Sequence, residues 1–157
     1  MNVVTQSDIQ EARSRLQGIT VRTHLIEFNP QVPHVSPPSR DMGTYAPDPT
    51  RRLFLKPENQ QPIGAFKLRG AYNKIASLSD AERDRGVISY SSGNHAQGVA
   101  YAARALNTKA VIVMPNNAPA IKREATAKLG AEIVLVGPGS DERKNKAEEL
   151  AAQHGYI

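Results

Sequence analysis

Cysteine and tryptophan are both absent from the 157 residues, and only 5% of them are aromatic. Without cysteine there is no disulfide framework and no thiolate chemistry. No apolar run approaches the roughly 18 residues needed to span a bilayer. The opening stretch, Met1-Asn2-Val3-Val4-Thr5-Gln6-Ser7, lacks the basic-then-apolar pattern of a signal peptide. These absences lead us to expect a cytoplasmic protein without a membrane partner. Long basic runs are missing too. The formal charge of +5 comes from 20 basic and 15 acidic residues, interleaved as in Glu82-Arg83-Asp84-Arg85 and Asp141-Glu142-Arg143-Lys144. The expectation is a solvated surface with a mild pull on small anions, not a nucleic-acid interface. His24, His34, His95 and His154 lack metal-ligand spacing, so no metal is expected.

What remains fits a globular chain, with 39% hydrophobic and 22% charged residues. Ser7-Asp8-Ile9-Gln10 reads as a capping box opening a helix whose apolar face is Ile9, Ala12 and Leu16, stopped by Gly18. Val21 to Phe28 reads as extended. Asn29 to Arg52 holds six of the 11 prolines (Pro30, Pro33, Pro37, Pro38, Pro47, Pro49). Proline removes donors and restricts its predecessor, so this stretch reads as a long loop.

From Leu53 the pattern changes. Leu53 to Lys56 reads as a strand and Phe66 to Ser77 as a helix with Leu68, Ala71, Tyr72 and Ile75 as its buried face. Ser79-Asp80-Ala81-Glu82 is a second capping box, and Gly86 ends its short helix. Three strand-then-helix units follow. Their strands are Val87–Tyr90, Ala110–Met114 and Glu132–Val136. Their helices run from His95 to Leu106, from Pro119 to Leu129 and from a Ser140 cap to His154, which Gly155 ends. Tyr156-Ile157 reads as the start of a further strand. Alternating β and α elements predict an α/β fold, a parallel sheet flanked by helices in three layers.

Two stretches are candidates for chemistry. Tyr90-Ser91-Ser92-Gly93-Asn94-His95 leaves a strand and enters a helix, the place where open α/β sheets bind ligands. Backbone N–H groups at the helix start attract carboxylate or phosphate. The plainer reading is that Asn94 caps the helix and Gly93 supplies a turn. Gly64-Ala65-Phe66-Lys67-Leu68-Arg69-Gly70-Ala71 places Lys67 in the first turn of a helix. Read locally, Lys67 belongs to a solvated face. The helix dipole and any burial would both favour its neutral amine, the form that makes a Schiff base.

Together, these stretches resemble the fold-type II pyridoxal-phosphate enzymes of the threonine dehydratase and serine racemase group. The resemblance rests on Leu55-Lys56-Pro57-Glu58-Asn59, Gly64 to Ala71, Ser91-Ser92-Gly93-Asn94-His95-Ala96-Gln97-Gly98, Val113-Met114-Pro115, Lys122 and Gly130-Ala131-Glu132. It runs in order from Leu53 to Ile157. It implies pyridoxal 5'-phosphate as cofactor, with Lys67 as its attachment point and catalytic base. Phe66 would lie near the ring and Asn94 would hydrogen-bond its 3′-oxygen. Ser91, Ser92, Gly93, Asn94 and His95 would receive the substrate carboxylate, and Ser92 corresponds to the second acid/base of the racemases.

The implied activity is dehydration and deamination of a hydroxy amino acid, threonine giving 2-oxobutanoate and ammonia. Serine racemization or another β-elimination is the alternative within the enzymes, and a non-catalytic remnant module the alternative outside them. The substrate would be threonine or serine, and a full-length protein would be a homo-oligomer. The resemblance also implies a division into residues 1–52 as the start of a large domain, 53–137 as a small α/β domain, and 138–157 as the return to an incomplete large domain. Thr23-His24-Leu25 replaces the usual Thr-Pro-Leu, Ala65 stands where many members have serine, and the proline-rich loop is long. These departures bear on substrate entry and specificity.

Overall fold

The computed structural model describes residues 3–28 and 52–157. The proline-rich stretch anticipated over 29–52 lies outside the described residues, apart from Arg52. The chain divides into two compact units, one of residues 1–21 and 59–157 and one of residues 22–58.

The smaller unit, in its described part, is a two-stranded antiparallel ribbon. Strand β1 (Ile26–Phe28) pairs with β2 (Leu53–Leu55), Glu27 lying opposite Phe54. The Arg52 guanidinium donates to both carboxylate oxygens of Glu27, at 2.6 and 2.8 Å. That two-pronged contact holds the Glu27 carboxyl below the usual range. Lys56 Nζ donates to the Thr23 carbonyl at 2.6 Å.

The larger unit begins with α1 (Gln6–Arg15). Its cap is Thr5, not Ser7. Thr5 Oγ1 accepts from Asp8 N–H, and the Asp8 carboxylate accepts from Thr5 N–H at 2.7 Å. Asp8 at the third helical position does what Gln10 would have done for Ser7, so the box closes one half-turn earlier. Ile9 remains exposed on this helix, whereas Leu16 packs against the core.

Helix α2 (Lys67–Ala76) buries the anticipated face of Leu68, Ala71, Tyr72 and Ile75. Full burial of a leucine such as Leu68 stabilises by about 1.5–3 kcal/mol. Helix α3 (Asp80–Arg85) opens on the Ser79–Glu82 capping box, and Gly86, with φ of 84°, ends it in a conformation suited to glycine.

Three parallel strands follow, β3 (Val87–Tyr90), β4 (Ala110–Pro115) and β5 (Glu132–Val136), in the spatial order β3-β4-β5. Every residue of β4 is buried, as expected of a central parallel strand covered on both faces. Helices α4 (Asn94–Ala105), α5 (Ala120–Lys128) and α6 (Ser140–His154) connect and flank them. Helices α4 and α5 pack on each other, and α6 packs on all three strands. After α6 the chain returns to β3. Ile157 N–H donates to the Gly86 carbonyl, and Ile88 N–H donates to the Ile157 carbonyl, at 3.0 and 2.9 Å. That is a parallel pairing on the outer edge of β3. The chain therefore moves from β3 towards β5 through α4 and α5, then reverses through α6. With right-handed crossovers, the reversal puts α6 on the opposite face of the sheet. The point of reversal is β3, and crevices at such points, beyond the carboxyl ends of strands, are where open α/β sheets take ligands.

Candidate functional site

The carboxyl end of β3 leads into Ser91-Ser92-Gly93. Ser91 N–H stays in the sheet ladder, donating to the Val113 carbonyl at 3.1 Å. Gly93 N–H turns back to Ser91 Oγ at 3.3 Å. Helix α4 then starts at Asn94, with Gly93 as its cap residue and no side-chain cap. The plainer reading of Asn94 as the helix cap is thereby corrected. Asn94 lies inside the first turn, where its own N–H belongs to the helix end, and its side chain is exposed. Among the described residues, the N–H groups of Ser92, Asn94 and His95 make no backbone hydrogen bond. Unpaired N–H groups at a helix start form a concentration of donors for an anion.

Lys67 opens α2, and Phe66 is the residue before it. Both are exposed. The burial considered for the Lys67 amine is not supplied by the described residues. Instead Lys67 Nζ lies 4.8 Å from the centroid of the Phe66 ring. Such a cation–π contact contributes about 0.5–1 kcal/mol at an exposed site, enough to bias where the amine rests. Arg69, two residues on, has a structural task. Its guanidinium donates to Thr20 Oγ1 at 3.2 Å and to the Val21 carbonyl at 3.1 Å, tying α2 to the segment after α1.

A cavity of about 580 Å³ runs between α2, β3 and α4. Phe66, Lys67, Ser89 and His95 contribute to its wall, and Ile75 and Val99 to its apolar part. The volume is in the range of small-molecule sites. Ser91, Ser92, Gly93 and Asn94 do not line it, so the structure brings Lys67, Phe66 and His95 to one hollow and leaves the rest of the loop beside it. His95 Nε2 lies 3.1 Å from Ser89 Oγ. Burial first, and then the charge of Lys67, push the His95 imidazole below the ordinary histidine range.

Ser89 and Gly98 were not singled out from the sequence as site-forming residues. Ser89 carries no signal there, because a serine in a short strand is unremarkable until its partner is known. Gly98 does carry one, since a glycine inside a helical pattern marks a close approach. A Cβ built on Gly98 would lie 3.2 Å from the Lys67 carbonyl oxygen. The two helices meet where the lysine is.

The residues present suit an aromatic group that carries an aldehyde. They offer an accessible primary amine at Lys67, an exposed aromatic face at Phe66, an Asn94 amide uncommitted to capping, and a helix start with no acidic residue in its first turn. Among the described residues, no three His, Asp or Glu side chains converge as a metal site would require. No helix of the described residues is long and apolar enough to cross a membrane.

Comparison with known proteins gives a consistent result. Residues 38–157 match the family model described as "Pyridoxal-phosphate dependent enzyme". An L-threo-3-hydroxyaspartate ammonia-lyase from Saccharomyces cerevisiae is 49% identical over 105 residues, covering 67% of this chain and 32% of the yeast protein. A catabolic L-threonine dehydratase from Staphylococcus aureus is 39% identical over 154 residues, covering 98% of this chain and 41% of that protein. Among solved structures, maize serine racemase superposes with a TM-score of 0.82 at 30% identity, covering 99% of this chain and 43% of the racemase. The chain therefore spans less than half the length of these relatives.

Proposed function

Because the chain belongs to the pyridoxal-phosphate dependent enzymes, we propose that it is the cofactor-bearing part of a cytoplasmic ammonia-lyase acting on a hydroxy amino acid, with Lys67 as the attachment residue. The observation that carries this reading is Lys67 at the start of α2, lining one cavity with Phe66 and His95 beside the uncapped start of α4. Pyridoxal 5'-phosphate, when bound, supplies an electron sink for the bond that breaks at the substrate's α-carbon. The remaining work falls to the chain. Lys67 Nζ holds the group covalently and, when free and neutral, takes the α-proton as general base. Phe66 would lie near the ring, and the Asn94 amide would hydrogen-bond its 3′-oxygen. Of the segment from Ser91 to His95 expected to receive the substrate carboxylate, the N–H groups of Ser92, Asn94 and His95 would do so, since those of Ser91 and Gly93 already donate to the Val113 carbonyl and to Ser91 Oγ. The Ser92 hydroxyl would move a proton on the substrate's other face.

Threonine is the substrate we favour. It loses its β-hydroxyl and its amino group, and the net products are 2-oxobutanoate and ammonia. The threonine dehydratase from S. aureus supports this choice, since the likeness extends over nearly the whole chain. Maize serine racemase, which covers as much of the chain, supports the alternative that serine is epimerised with Ser92 as the second acid/base. We further propose that residues 53–137 form the small domain of a homo-oligomeric enzyme, with residues 1–52 and 138–157 belonging to its large domain. The test is incubation of the whole protein with L-threonine and with L-serine. 2-Oxobutanoate from threonine is expected. D-serine without 2-oxo acid would replace the lyase by a racemase, and turnover of neither would remove both.

A further inference from the structure

We propose that Gly98 is a positioning residue that fixes the distance between Lys67 and the segment Ser91–Asn94. The inference rests on the reading of Lys67 as the attachment residue and concerns how the fold holds that lysine in place.

Gly98 is buried, in the second turn of α4, where α4 crosses the first turn of α2. A Cβ at this position would meet the Lys67 carbonyl oxygen at 3.2 Å, the Lys67 carbonyl carbon at 3.3 Å and Ala71 Cβ at 3.3 Å. Two of those three atoms are the backbone of Lys67. Backbone in a helix cannot rotate aside as a flexible side chain can, so a methyl group here moves one helix relative to the other. Intrinsic propensity runs the other way, since glycine in a helix interior costs about 0.5–1 kcal/mol relative to alanine. The close approach is what that local cost maintains. Gly70, also in the interior of a site helix, differs. A Cβ built there meets nothing within 4 Å.

The geometry carries the effect to the loop. Asn94 lies four residues before Gly98, on the same face of α4 and one turn nearer the loop. A push at Gly98 therefore displaces the face that bears Asn94 away from Lys67. The required shift is a few tenths of an ångström, small for folding and large for an amine that must meet an aldehyde held by the neighbouring loop.

The experiment treats the chain with pyridoxal 5'-phosphate, traps the adduct with borohydride and maps it by peptide mass. The ratio of label at Lys67 to label at Lys144, an exposed lysine on α6, reads the site independently of turnover. Helical circular dichroism is recorded in parallel. In the unsubstituted chain Lys67 is labelled in preference. Gly98→Ala lowers the ratio on the order of tenfold with the helical signal retained. Gly98→Ala combined with Ala71→Gly does not restore it, because the Lys67 carbonyl still faces the added methyl. An unchanged ratio in Gly98→Ala overturns the inference and leaves the Lys67 reading standing. So does full restoration by Ala71→Gly, or a fall in ratio that merely follows loss of helical signal. Equal labelling of Lys67 and Lys144 in the unsubstituted chain overturns the Lys67 reading itself, and the inference with it.

Discussion

Two adjacent parallel strands, β3 and β4, each end in a short loop that enters a helix, and the two loops are built differently. After β4, Asn116 N–H donates to the Val136 carbonyl at 2.8 Å and Ala118 N–H to the Pro115 carbonyl at 3.0 Å. The cap residue is Pro119, which has no N–H to offer, and α5 opens on Ala120 and Ile121. After β3, the loop keeps one N–H in the ladder and turns one onto a serine hydroxyl, and α4 opens on Asn94 and His95. Both loops carry amides, Asn116 and Asn117 after β4 and Asn94 after β3, but α5 opens on apolar Ala120 and Ile121, whereas α4 opens on Asn94 and His95 beside two serines. The remaining helix starts sharpen the contrast. Asp8 occupies the start of α1, Glu82 that of α3 and Glu142 that of α6, each accepting a backbone N–H from its cap residue. No acidic residue lies in the first turn of α2 or α4. Three helix starts are filled by the chain's own carboxylates, those of α2, α4 and α5 hold none, and of these α2 and α4 lie at the cavity.

The largest effect we expect comes from the strand that the two loops share. Ile112 in β4 is fully buried, and Ile112→Ala lowers stability by about 2–5 kcal/mol in chemical denaturation. A change below about 1 kcal/mol would mean that the two loops do not depend on a common core. Next is a filled helix start. Ser79→Ala removes the oxygen that accepts Glu82 N–H and costs about 1 kcal/mol. The open start at α4 responds in the opposite sense. Asn94→Asp places a carboxylate in its first turn and raises stability by about 0.3–1 kcal/mol. The carboxylate cannot donate to the cofactor's 3′-oxygen as the proposed Asn94 amide would, so affinity for pyridoxal 5'-phosphate falls severalfold. If stability and affinity rose together, the start of α4 would be no different from that of α3.

The smallest effect is on pH dependence. Burial, then Lys67, hold His95 below its ordinary value, so between the two values the unfolded chain binds more protons. The stability His95 contributes is full above about pH 6.5, the unfolded value. It is lost as pH falls through the folded value. Thermal melts at stepped pH should therefore decline below about pH 6.5 in the natural chain and decline less in His95→Gln. Identical profiles would show that the imidazole does not sense the cavity. Asp8 and Glu82, lowered by hydrogen bonds from Thr5 and Ser79, lose their contributions at lower pH, in the carboxylate range.

Much of this architecture was legible from residue pattern. The bounds of β3 and β5, the buried face of α2 and the Ser79 box match because period and capping are local properties, written in neighbouring residues. The α1 cap was misplaced because Thr5–Asp8 and Ser7–Gln10 both satisfy a capping template, and only the fold decides between them. The candidate site was legible as two motifs, and its assembly was not. Nothing local says that Asn94 falls inside the helix and not at its cap, that His95 reaches Ser89 across the turn, or that Gly98 meets the Lys67 carbonyl. Each of these depends on how α2 and α4 cross, which is a tertiary property.

The contrast between filled and open helix starts leads to Lys67, and its covalent role admits a direct measurement. The protein is incubated with pyridoxal 5'-phosphate, reduced with borohydride, digested and mapped by mass, alongside Lys67→Ala. The account predicts a reduced adduct on the peptide containing Lys67 and its loss in Lys67→Ala, with no compensating gain at another lysine. An adduct of equal yield on a different lysine in both proteins would contradict it.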